Sequence, residues 1–472
     1  MIGDIAVAGT LSPGASLGTM RVTGNVSLAS GSTALFELTP TATDLLRVSG
    51  NLTIASGATL TLTGDRPLTP GSTLDLIVAD GGITGSFSTI SKPASIFGFI
   101  AQRSDRIQLL GQFANDAGFT RQVRGSIDYV NATLVAGVAT PALIAALPAL
   151  LSPNGTSNAA AFNRIAPEAF ASAQQIGVEN GLSLVQATRA QALAGERSEP
   201  GAFTFGQALG TWRDIDGSSA GAAKADLNGA GVLGGLGWDS GSWGVGAFIG
   251  YLDSRQTLSA LGARTDAKGV IAGIQAQYAV GNWKLGAMLA YDGGEARTRR
   301  ALPGNLTAGS RYDLHGWTGD LSASYAIDLN AGWQVRPRLG LSWIGTTRGG
   351  TREMGGGAFA LGIARHRDDA WFVDGGVQLL GGGAGDSRLR PYLALGGRYQ
   401  IEGRATTARA SLGGGTADLT GYGAERGRFL AVTQAGLSAD VTGAVTLFGA
   451  YSGEWGRDDQ RQSINGGVRI RF

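Results

Sequence analysis

The sequence contains no cysteine and only two histidines. The missing thiols exclude disulfide bonds, zinc–thiolate sites and cysteine nucleophiles within this chain, and two histidines leave little for a metal site or a catalytic triad. Charged residues are also scarce, at 16% against about 25% in an ordinary soluble domain. Lys and Arg number 38 and Asp and Glu 36, a net charge of +2. The sequence therefore lacks the basic surplus that nucleic-acid binding uses.

Glycine is in excess, with 78 among 472 residues against a usual share of about 7%. High glycine, low charge and absent cysteine favour an all-β chain that crosses an oxidising compartment over a cytosolic enzyme. Residues 1–4 lack the basic start and apolar stretch of a secretory signal, so we expect an exported form to derive from a longer precursor. An uncharged run at 129–163 is interrupted by Pro141 and Pro148, which favours a packed junction over a membrane-spanning helix.

The first 112 residues contain an internal repeat. Residues 22–31 (VTGNVSLASG) recur 26 positions later as residues 48–57 (VSGNLTIASG). Each copy is a short alternating strand that is entered by Gly-Asn and left by Ser-Gly, and both pairs favour turns. One strand and one turn cannot bury an apolar face alone, whereas stacked copies can. The repeat predicts a β-helix over residues 1–112, with a plain β-sandwich as the alternative.

Residues 113–201 form a second, alanine-rich segment. The spacing of apolar residues from 159 to 197 predicts one or two helices, although Gly177 and Gly181 weaken the middle. The predicted apolar stripe consists of Ile176, Leu182, Val185 and Leu193, with Glu179, Gln186 and Arg189 on other faces. The sequence Glu-Pro-Gly at 199–201 ends the helical pattern.

Residues 202–472 are a succession of alternating strands. In 333–343 the odd positions, from Trp333 to Trp343, are apolar, whereas Gln334, Arg336 and Arg338 lie on the opposite face. We predict twelve strands, an even number as in single-chain bacterial barrels. They cover 203–212, 229–238, 243–252, 269–280, 283–292, 316–328, 333–346, 370–380, 389–402, 428–440, 444–456 and 462–472. Short turns at 239–242 and 281–282 alternate with predicted longer loops at 252–268 and 293–315.

Aromatic residues flank the apolar face of several predicted strands at both ends. Two such rows are typical of the interfacial girdles of an outer-membrane barrel, and a bilayer demands closure because an open edge would leave backbone groups unpaired in hydrocarbon. The predicted girdle residues are Trp243, Tyr251, Trp283, Tyr291, Trp333 and Trp343. The pattern therefore predicts an all-β fold, a transmembrane antiparallel β-barrel in contact with outer-membrane lipid.

The opposite faces of the same strands are too polar for a protein core and suit a wet lumen. The predicted pore-lining residues are Lys284, Asp292, Asp320, Arg336, Arg338, Arg390, Arg398 and Glu454. Because an unpaired charge in a narrow lumen is costly, we expect these groups to be paired or hydrated. They either hold a helix in the pore or simply fill a wet barrel.

Several short stretches resemble a known family. They are Trp212 with Asp-Gly at 216–217, LGGLGW at 233–238, Gly-Tyr at 250–251, WKLG at 283–286, RPY at 390–392, AYSGE at 450–454 and the final GVRIRF at 467–472. Through them, residues 202–472 resemble the β-domain of classical monomeric autotransporters, which carry out type V secretion. Residues 9–16 and 43–52 are similar to the passenger β-helix that precedes such barrels.

The resemblance implies three domains. Residues 1–112 would be the C-terminal part of a passenger β-helix, 113–201 a junction with an α-helical linker through the pore, and 202–472 the translocator barrel. Val468, Ile470 and Phe472 in the final strand would form the barrel-assembly signal. The implied partners are the barrel-assembly machinery and periplasmic chaperones, and the implied state is a monomer. Some relatives cut themselves between two adjacent asparagines, but this sequence has no such pair.

The function implied is export of the chain's own N-terminal passenger from the outer membrane of a Gram-negative bacterium to the cell surface. We expect an adhesin-like passenger, no cofactor and no enzymatic activity. Matches to the Gly-x-Ser-x-Gly elbow at 14–18 and 217–221 lack the following helix and the histidine partner that the motif needs. The alternatives are an outer-membrane porin with an N-terminal extension, and a surface enzyme whose active segment is missing from this chain.

Overall fold

The computed structural model describes residues 1–14, 16–66, 68–93, 96, 98–195, 200–329, 332–381 and 388–472. They form two compact units. The first unit comprises Met1–Phe119, Ile127–Phe162 and Gly413–Gly415, and the second comprises Thr120–Ser126, Asn163–Leu412 and Thr416–Phe472. Residues 196 and 197, the end of the predicted helical segment, and residues 198 and 199 lie outside the described residues.

The described residues of the first unit form thirteen short strands. They are β1 (Ile5–Val7), β2 (Thr10–Leu11), β3 (Thr19–Val22), β4 (Val26–Leu28), β5 (Thr33–Leu38), β6 (Leu45–Val48), β7 (Leu52–Ile54), β8 (Thr59–Gly64), β9 (Thr73–Ala79), β10 (Ile83–Gly85), β11 (Thr89–Ser91), β12 (Phe99–Gln102) and β13 (Arg106–Leu110). Three sheets result, in the orders β1-β4-β7-β10, β11-β8-β5-β2 and β12-β13-β9-β6-β3.

Most strands of the first unit pair in parallel with the strand one turn later. Val26 lies opposite Leu52 and Thr33 opposite Thr59, so the register is the 26-residue repeat of the sequence. Each turn contributes one strand to each of three sheets, which is the arrangement of a parallel β-helix and not of a sandwich. The strands β12 and β13 pair antiparallel with each other, and β13 pairs antiparallel with β9.

The Gly-Asn turns of the repeat stack on one another. The Gly50 N–H donates to the Gly24 carbonyl (2.9 Å), and the Asn51 N–H donates to Asn25 Oδ1 (2.8 Å). A Cβ at Gly50 would clash with Asn25 Oδ1 and lie 2.7 Å from the Gly24 carbonyl oxygen. Glycine is therefore required at this turn because the neighbouring turn approaches too closely for any side chain.

Replacing Gly50 by alanine tests the stacking. We expect Gly50→Ala to destabilise the β-helix by about 1–3 kcal/mol, because the added methyl group must displace a neighbouring turn. Gly9→Ala is the matched control, since a Cβ there meets nothing within 4 Å. The stability of residues 1–112 in each variant is measured by unfolding in denaturant, with limited proteolysis as the probe. Equal stabilities of the two variants would contradict the stacking argument.

Over the residues that the structure describes, four α-helices follow the β-helix. They are α1 (Arg121–Ala136), α2 (Pro141–Ala146), α3 (Ala159–Ile165) and α4 (Glu168–Gly195), and α2 is followed by a 3₁₀ turn at Leu147–Leu150. Thr140 caps α2 by accepting from the Leu143 N–H (3.2 Å), and Pro141 occupies the first turn, where a missing N–H costs nothing. The predicted helices at 159–197 correspond to α3 and α4. Within the described part of the chain, no helix is both long and apolar enough to cross a bilayer.

The second unit is built on a large antiparallel sheet. Its strands are β14 (Gly201–Ile215), β15 (Ala225–Asp239), β16 (Trp243–Leu258), β17 (Ala263–Val280), β18 (Trp283–Leu302), β19 (Leu306–Tyr325), β20 (Ile327–Asp328), β21 (Gln334–Arg348), β24 (His366–Leu380), β25 (Leu389–Glu402), β28 (Phe429–Asp440), β29 (Val445–Trp455) and β30 (Asp459–Arg471). The strands β22 (Thr351–Arg352), β23 (Leu361–Ile363), β26 (Thr407–Leu412) and β27 (Leu419–Tyr422) form a separate small sheet that the sequence did not predict.

The large sheet closes on itself. The first strand β14 pairs with the last strand β30 from Phe203 opposite Arg471 to Ile215 opposite Asp459. Both β19 and the two-residue β20 pair with β21, so together they act as one strand of the ring. The predicted closed barrel of twelve antiparallel strands is therefore confirmed.

The predicted long loops at 252–268 and 293–315 are wrong. The strand β16 extends to Leu258 and β17 begins at Ala263, with a 3₁₀ turn at Ser259–Leu261 between them. The strands β18 and β19 are likewise joined by a 3₁₀ turn at Pro303–Asn305. Beyond the outer aromatic row the outward side chains become charged, so the apolar alternation that marks a strand in the bilayer ends although the strand continues.

Candidate functional site: the barrel lumen and its helix

The helix α4 is buried inside the barrel. It has 28 residues, or about 42 Å of helix, and it contacts β14–β19, β21, β29 and β30. Ile176, Leu182 and Val185 of the predicted stripe are buried, but so are the polar residues Glu179 and Gln191. The expectation of one apolar stripe with polar faces elsewhere is therefore wrong, because the barrel wall surrounds the helix on nearly every side.

Two glycines allow the wall to approach α4 closely. A Cβ at Gly177 would lie 2.7 Å from Thr346 Cγ2, and a Cβ at Gly181 would lie 2.6 Å from Thr318 Oγ1 and 2.8 Å from Ile344 Cδ1. These are the glycines that weaken the helical pattern in the sequence. Their cost in helix propensity is offset by contacts that no larger residue could make at these positions.

Near the middle of α4 the Glu179 carboxylate is held by three arginines of the barrel. Arg213 Nη1 lies 3.2 Å and Arg426 Nη1 3.5 Å from Glu179 Oε2, and Arg461 Nε donates to Glu179 Oε1. Glu179 is 5% exposed, and the three arginines are 2% exposed or less. One helix carboxylate therefore joins the strands β14 and β30 and the segment that precedes β28.

Further carboxylates balance these arginines. Arg213 also pairs with Asp459 (Nη2–Oδ2 2.5 Å), and Arg461 pairs with Glu454 (Nη1–Oε1 3.0 Å). Glu454 is in turn 2.7 Å from Arg398 Nη1. We call this group the Glu179 cluster: Glu179, Arg213, Arg398, Arg426, Glu454, Asp459 and Arg461. Three carboxylates lie among four guanidinium groups out of contact with bulk water, so all but one of the buried positive charges have a counter-charge within the cluster, which lowers the cost of burying them.

A second ionic group lies ten residues further along α4, about 15 Å along the helix axis. Arg189 forms a two-point contact with Asp320, through Nη2–Oδ1 (2.7 Å) and Nε–Oδ2 (2.9 Å). Its Nη1 also donates to Asp374 Oδ1 (3.0 Å), which Arg338 Nη2 approaches from the wall (Oδ2 3.3 Å). The helix therefore carries a negative charge at one level, Glu179, and a positive charge at the other, Arg189. Pairing at both levels fixes the position of α4 along the lumen axis.

The N-terminal end of α4 is held by backbone and side-chain contacts. Gln175 Nε2 donates to the Ala424 carbonyl (3.0 Å), and Arg426 Nη2 donates to the Gln175 carbonyl (2.9 Å). At the first residue, Gln122 Nε2 donates to the Glu168 carboxylate, as does the Ala223 N–H. Ala223 lies in the loop between β14 and β15, so Glu168 sits at the loop end of the barrel, beyond the membrane-facing band.

The predicted pore-lining residues lie on the inner face. Asp320, Arg338, Arg398 and Glu454 belong to the two ionic groups described above. Asp292 Oδ2 accepts from Asn180 Nδ2 of α4 (3.4 Å), and Arg390 Nη2 donates to the Ala194 carbonyl (3.4 Å). Lys284 lines a cavity of about 140 Å³ together with Arg189 and Arg338, and Arg336 lines another beside Ala194.

Several residues of the site were missed from the sequence. Arg213, Asp374, Arg426, Asp459 and Arg461 were not predicted to line the pore. In the last strand a signal was available, since Asp459, Arg461, Ser463 and Asn465 alternate with outward residues. The strand was predicted to begin only at 462, after the two charged members of that series. Arg426 lies outside the large sheet, where strand alternation gives no information.

The predicted girdle and terminal-strand residues lie on the outer face. Trp243, Trp283 and Trp333 are exposed near the short-turn rim, and Tyr251 and Tyr291 are exposed further along their strands. Trp343 is half-buried, and its Nε1 donates to Asp369 Oδ1 (3.0 Å). The terminal strand turns Val468 and Ile470 outward in the same way, and Phe472 is exposed.

The two histidines lie apart from the ionic groups of the lumen. His366 Nε2 is 3.2 Å from Asp368 Oδ1, and the His315 ring lies 6.3 Å from the Tyr291 ring. Ser240, in the turn between β15 and β16, bonds its Oγ to the Trp243 carbonyl (3.0 Å). In the part of the chain that the structure describes, no group of three His, Asp or Glu side chains is placed to hold a metal ion.

Comparison with known proteins identifies one family. A family model described as the autotransporter beta-domain matches residues 204–452, just over half of the chain. The solved translocator domain of the autotransporter NalP from Neisseria meningitidis is 12% identical with a TM-score of 0.52, over 64% of this chain and 100% of that one. The transport unit of AIDA-I from Escherichia coli is 16% identical with a TM-score of 0.45, over 61% and 97%. A search of curated proteins gives no significant match.

Removing the helix carboxylate tests the Glu179 cluster. Glu179→Gln leaves three buried arginines with one counter-charge fewer, so we expect the barrel to lose about 3–5 kcal/mol of stability. Heat-modifiability on a semi-native gel measures the loss, and conductance in planar bilayers should rise as α4 loosens. Glu402→Gln is the control, because Glu402 is exposed. An unchanged melting profile in Glu179→Gln would refute the role of the cluster.

The N-terminal contact of α4 should depend on pH. Burial raises the pKa of Glu168 from 4.5 to about 7, so the folded protein binds this proton more tightly than the unfolded chain does. The protonated Glu168 therefore contributes up to about 3 kcal/mol to the free energy of unfolding. This contribution is complete below pH 4.5 and is lost as the pH rises through 7. Amide protection factors in the loop 216–224, which are exchange rates corrected for the base catalysis of intrinsic exchange, should therefore fall between pH 6 and 8. Glu168→Gln should remove this fall and Glu402→Gln should keep it; a pH-independent protection factor in the unmodified protein would contradict the argument.

Proposed function

The chain belongs to the autotransporter β-domain family, and we propose that it divides into the three domains that the sequence predicts. Residues 1–112 are the end of an exported passenger, 113–201 the junction and linker, and 202–472 the translocator. The barrel itself is an outer-membrane translocator of type V secretion in a Gram-negative bacterium. It is a transporter and not a catalyst.

The observation that carries the proposal is the position of α4 in the lumen. The helix begins at Glu168, beside the loop between β14 and β15, and its C-terminal end at Ala194 contacts Arg390 near the start of β25. The chain then enters the barrel at Gly201, next to the short turn at 239–242. The segment before α4 is therefore delivered at the loop end of the barrel, which we assign to the cell surface.

We expect export to need neither ATP nor a cofactor. Each turn of the β-helix buries apolar side chains, among them Phe36, Leu60 and Leu62, and pairs with the preceding turn. Folding of successive turns outside the cell therefore disfavours return through the pore. A repetitive β-helix suits a stalk that presents a binding segment, so we propose an adhesin-like passenger.

The final strand supports the proposed partners. The strand β30 closes the barrel by pairing with both β14 and β29, so the ring is complete only when this strand is in place. Val468, Ile470 and Phe472 lie on its outer side. We propose that this strand is the signal read by the barrel-assembly machinery, after delivery by periplasmic chaperones, and that the barrel functions as a monomer.

A cysteine pair tests whether the exported state has α4 in the pore. A Cβ at Gly177 would lie 3.3 Å from Thr346 Cβ, near the range of about 3.5–4.5 Å for disulfides. The chain has no native cysteine, so a disulfide in Gly177→Cys/Thr346→Cys can join only these two positions. With an epitope at the exposed Gly9, we expect external protease to remove the epitope from intact cells. The same molecules should form the disulfide on mild oxidation.

The control pairs Thr346→Cys with Leu339→Cys and keeps Gly177, since Leu339 is 61% exposed on the outside of β21. A folded barrel whose epitope stays protected from protease would rule out export. A disulfide yield no higher than that of the control would rule out a helix in the pore. Conductance at the level of an open porin, with the disulfide formed, would favour the diffusion channel instead.

A further inference from the structure

Three neighbouring strands carry a cluster of arginines on the outer face of the barrel, near its loop end. Arg264 of β17 lies directly opposite Arg299 of β18, and Arg297 of β18 lies directly opposite Arg311 of β19. All four are exposed, whereas the alternate residues Thr265, Thr298 and Tyr312 are buried. The four-arginine cluster therefore faces away from the lumen.

Its cross-strand pairing is unfavourable within the protein alone. Like charges directly opposite each other on neighbouring strands destabilise a sheet, and here two such pairs are adjacent. Glu295 pairs with Arg297 (Oε1–Nε 2.6 Å), and Asp266 pairs with Arg264 (Oδ1–Nη2 2.8 Å). Asp266 is shared with a further arginine, Arg255 (Oδ1–Nε 2.8 Å). Among the described residues, neither Arg299 nor Arg311 has an ion-pair partner, so the cluster has a positive excess.

The excess is absent from the outer faces of β14, β15 and β30. At a similar height, the outer faces of β14, β15 and β30 carry Asp214, Asn228, Gln460 and Gln462. A ring of positive charge that served only to mark the membrane boundary would run around the whole circumference. The concentration of exposed arginines on β16–β19, where Arg255 of β16 joins the four of the cluster, instead points to a discrete anionic ligand.

The height of the cluster identifies the kind of anion. Arg297 and Arg299 follow Tyr291 by six and eight residues on the same face of β18. At about 3.4 Å per residue and a strand tilt of about 40°, they lie about 16–21 Å above Tyr291 in the outer aromatic row. A phospholipid headgroup layer adds only about 5–8 Å to each side of the hydrocarbon, so phospholipid phosphates lie below the backbone of the cluster. A phosphate on an extended sugar headgroup can lie at its height.

We propose that the four-arginine cluster binds phosphate groups on the sugar headgroup of an outer-leaflet glycolipid, the chemistry of lipopolysaccharide. Guanidinium groups suit this ligand because their planar N–H pairs form two-point contacts with phosphate oxygens. A phosphate placed between Arg299 and Arg311 offsets the repulsion of both arginine pairs. The interaction would hold one side of the barrel against the glycolipid leaflet.

Lipid retention tests the proposal on the full-length protein. The variant Arg297→Gln/Arg299→Gln/Arg311→Gln is mixed in detergent with purified lipopolysaccharide, and mass spectrometry counts the molecules retained after gel filtration. We expect retention at least fivefold below that of the unmodified protein. The matched control is Arg352→Gln/Arg367→Gln/Arg428→Gln, which removes the same charge from three other exposed arginines and should retain lipopolysaccharide normally.

Three outcomes would overturn the proposal. The first is equal retention of lipopolysaccharide by the two triple variants. The second and third are that the unmodified protein retains dephosphorylated lipopolysaccharide, or phosphatidylglycerol, as well as it retains intact lipopolysaccharide. Heat-modifiability verifies that each variant is folded, and Arg299→Gln/Arg311→Gln replaces the triple variant if folding fails, since neither residue forms an ion pair. Lipid retention does not depend on the passenger, so a negative result for the glycolipid proposal would not bear on the proposed export function.

Discussion

Everything in the second unit depends on the need to pair backbone polar groups where no water is present. An open strand edge in hydrocarbon would leave N–H and C=O groups unpaired at several kcal/mol each. The pairing of β14 with β30, the first and last strands of the sheet, removes that edge. Because the ring is closed, every strand has one face that contacts lipid and one face that does not. The alternation of exposed Leu339 with buried Arg336 on β21 is a direct result.

Closure also decides what the interior must contain. A ring of twelve strands encloses more space than wall side chains alone occupy here, and α4 fills it. Its Glu179 and Arg189 meet groups of opposite charge at two levels. On either side of Glu179, Gly177 and Gly181 bring the helix against Thr346 and Thr318. Charge fixes the axial position, and small residues permit the close fit. The same contacts hold α4 inside the ring.

The barrel could be predicted from the sequence because its constraint is local and periodic. Trp283 and Tyr291 mark both ends of an apolar face within one strand, and each predicted strand is present. The helix partners could not be predicted in this way. Arg213 and Asp459 lie 246 positions apart in the chain, and only closure of the ring brings them together. The 26-residue repeat was a similarly local signal, since each turn contacts the next one.

The error over the loops follows from a change in environment along a single strand. Up to Tyr291, the outward residues of β18 meet hydrocarbon and must be apolar. Beyond it they meet headgroups or water, and Glu295, Arg297 and Arg299 replace the aliphatic residues. The inward residues stay buried throughout, as Thr298 illustrates. Hydrophobic alternation therefore measures the thickness of the membrane and not the length of the strand. The polar extensions are free to carry charge patterns, such as opposed arginines, that the bilayer would forbid.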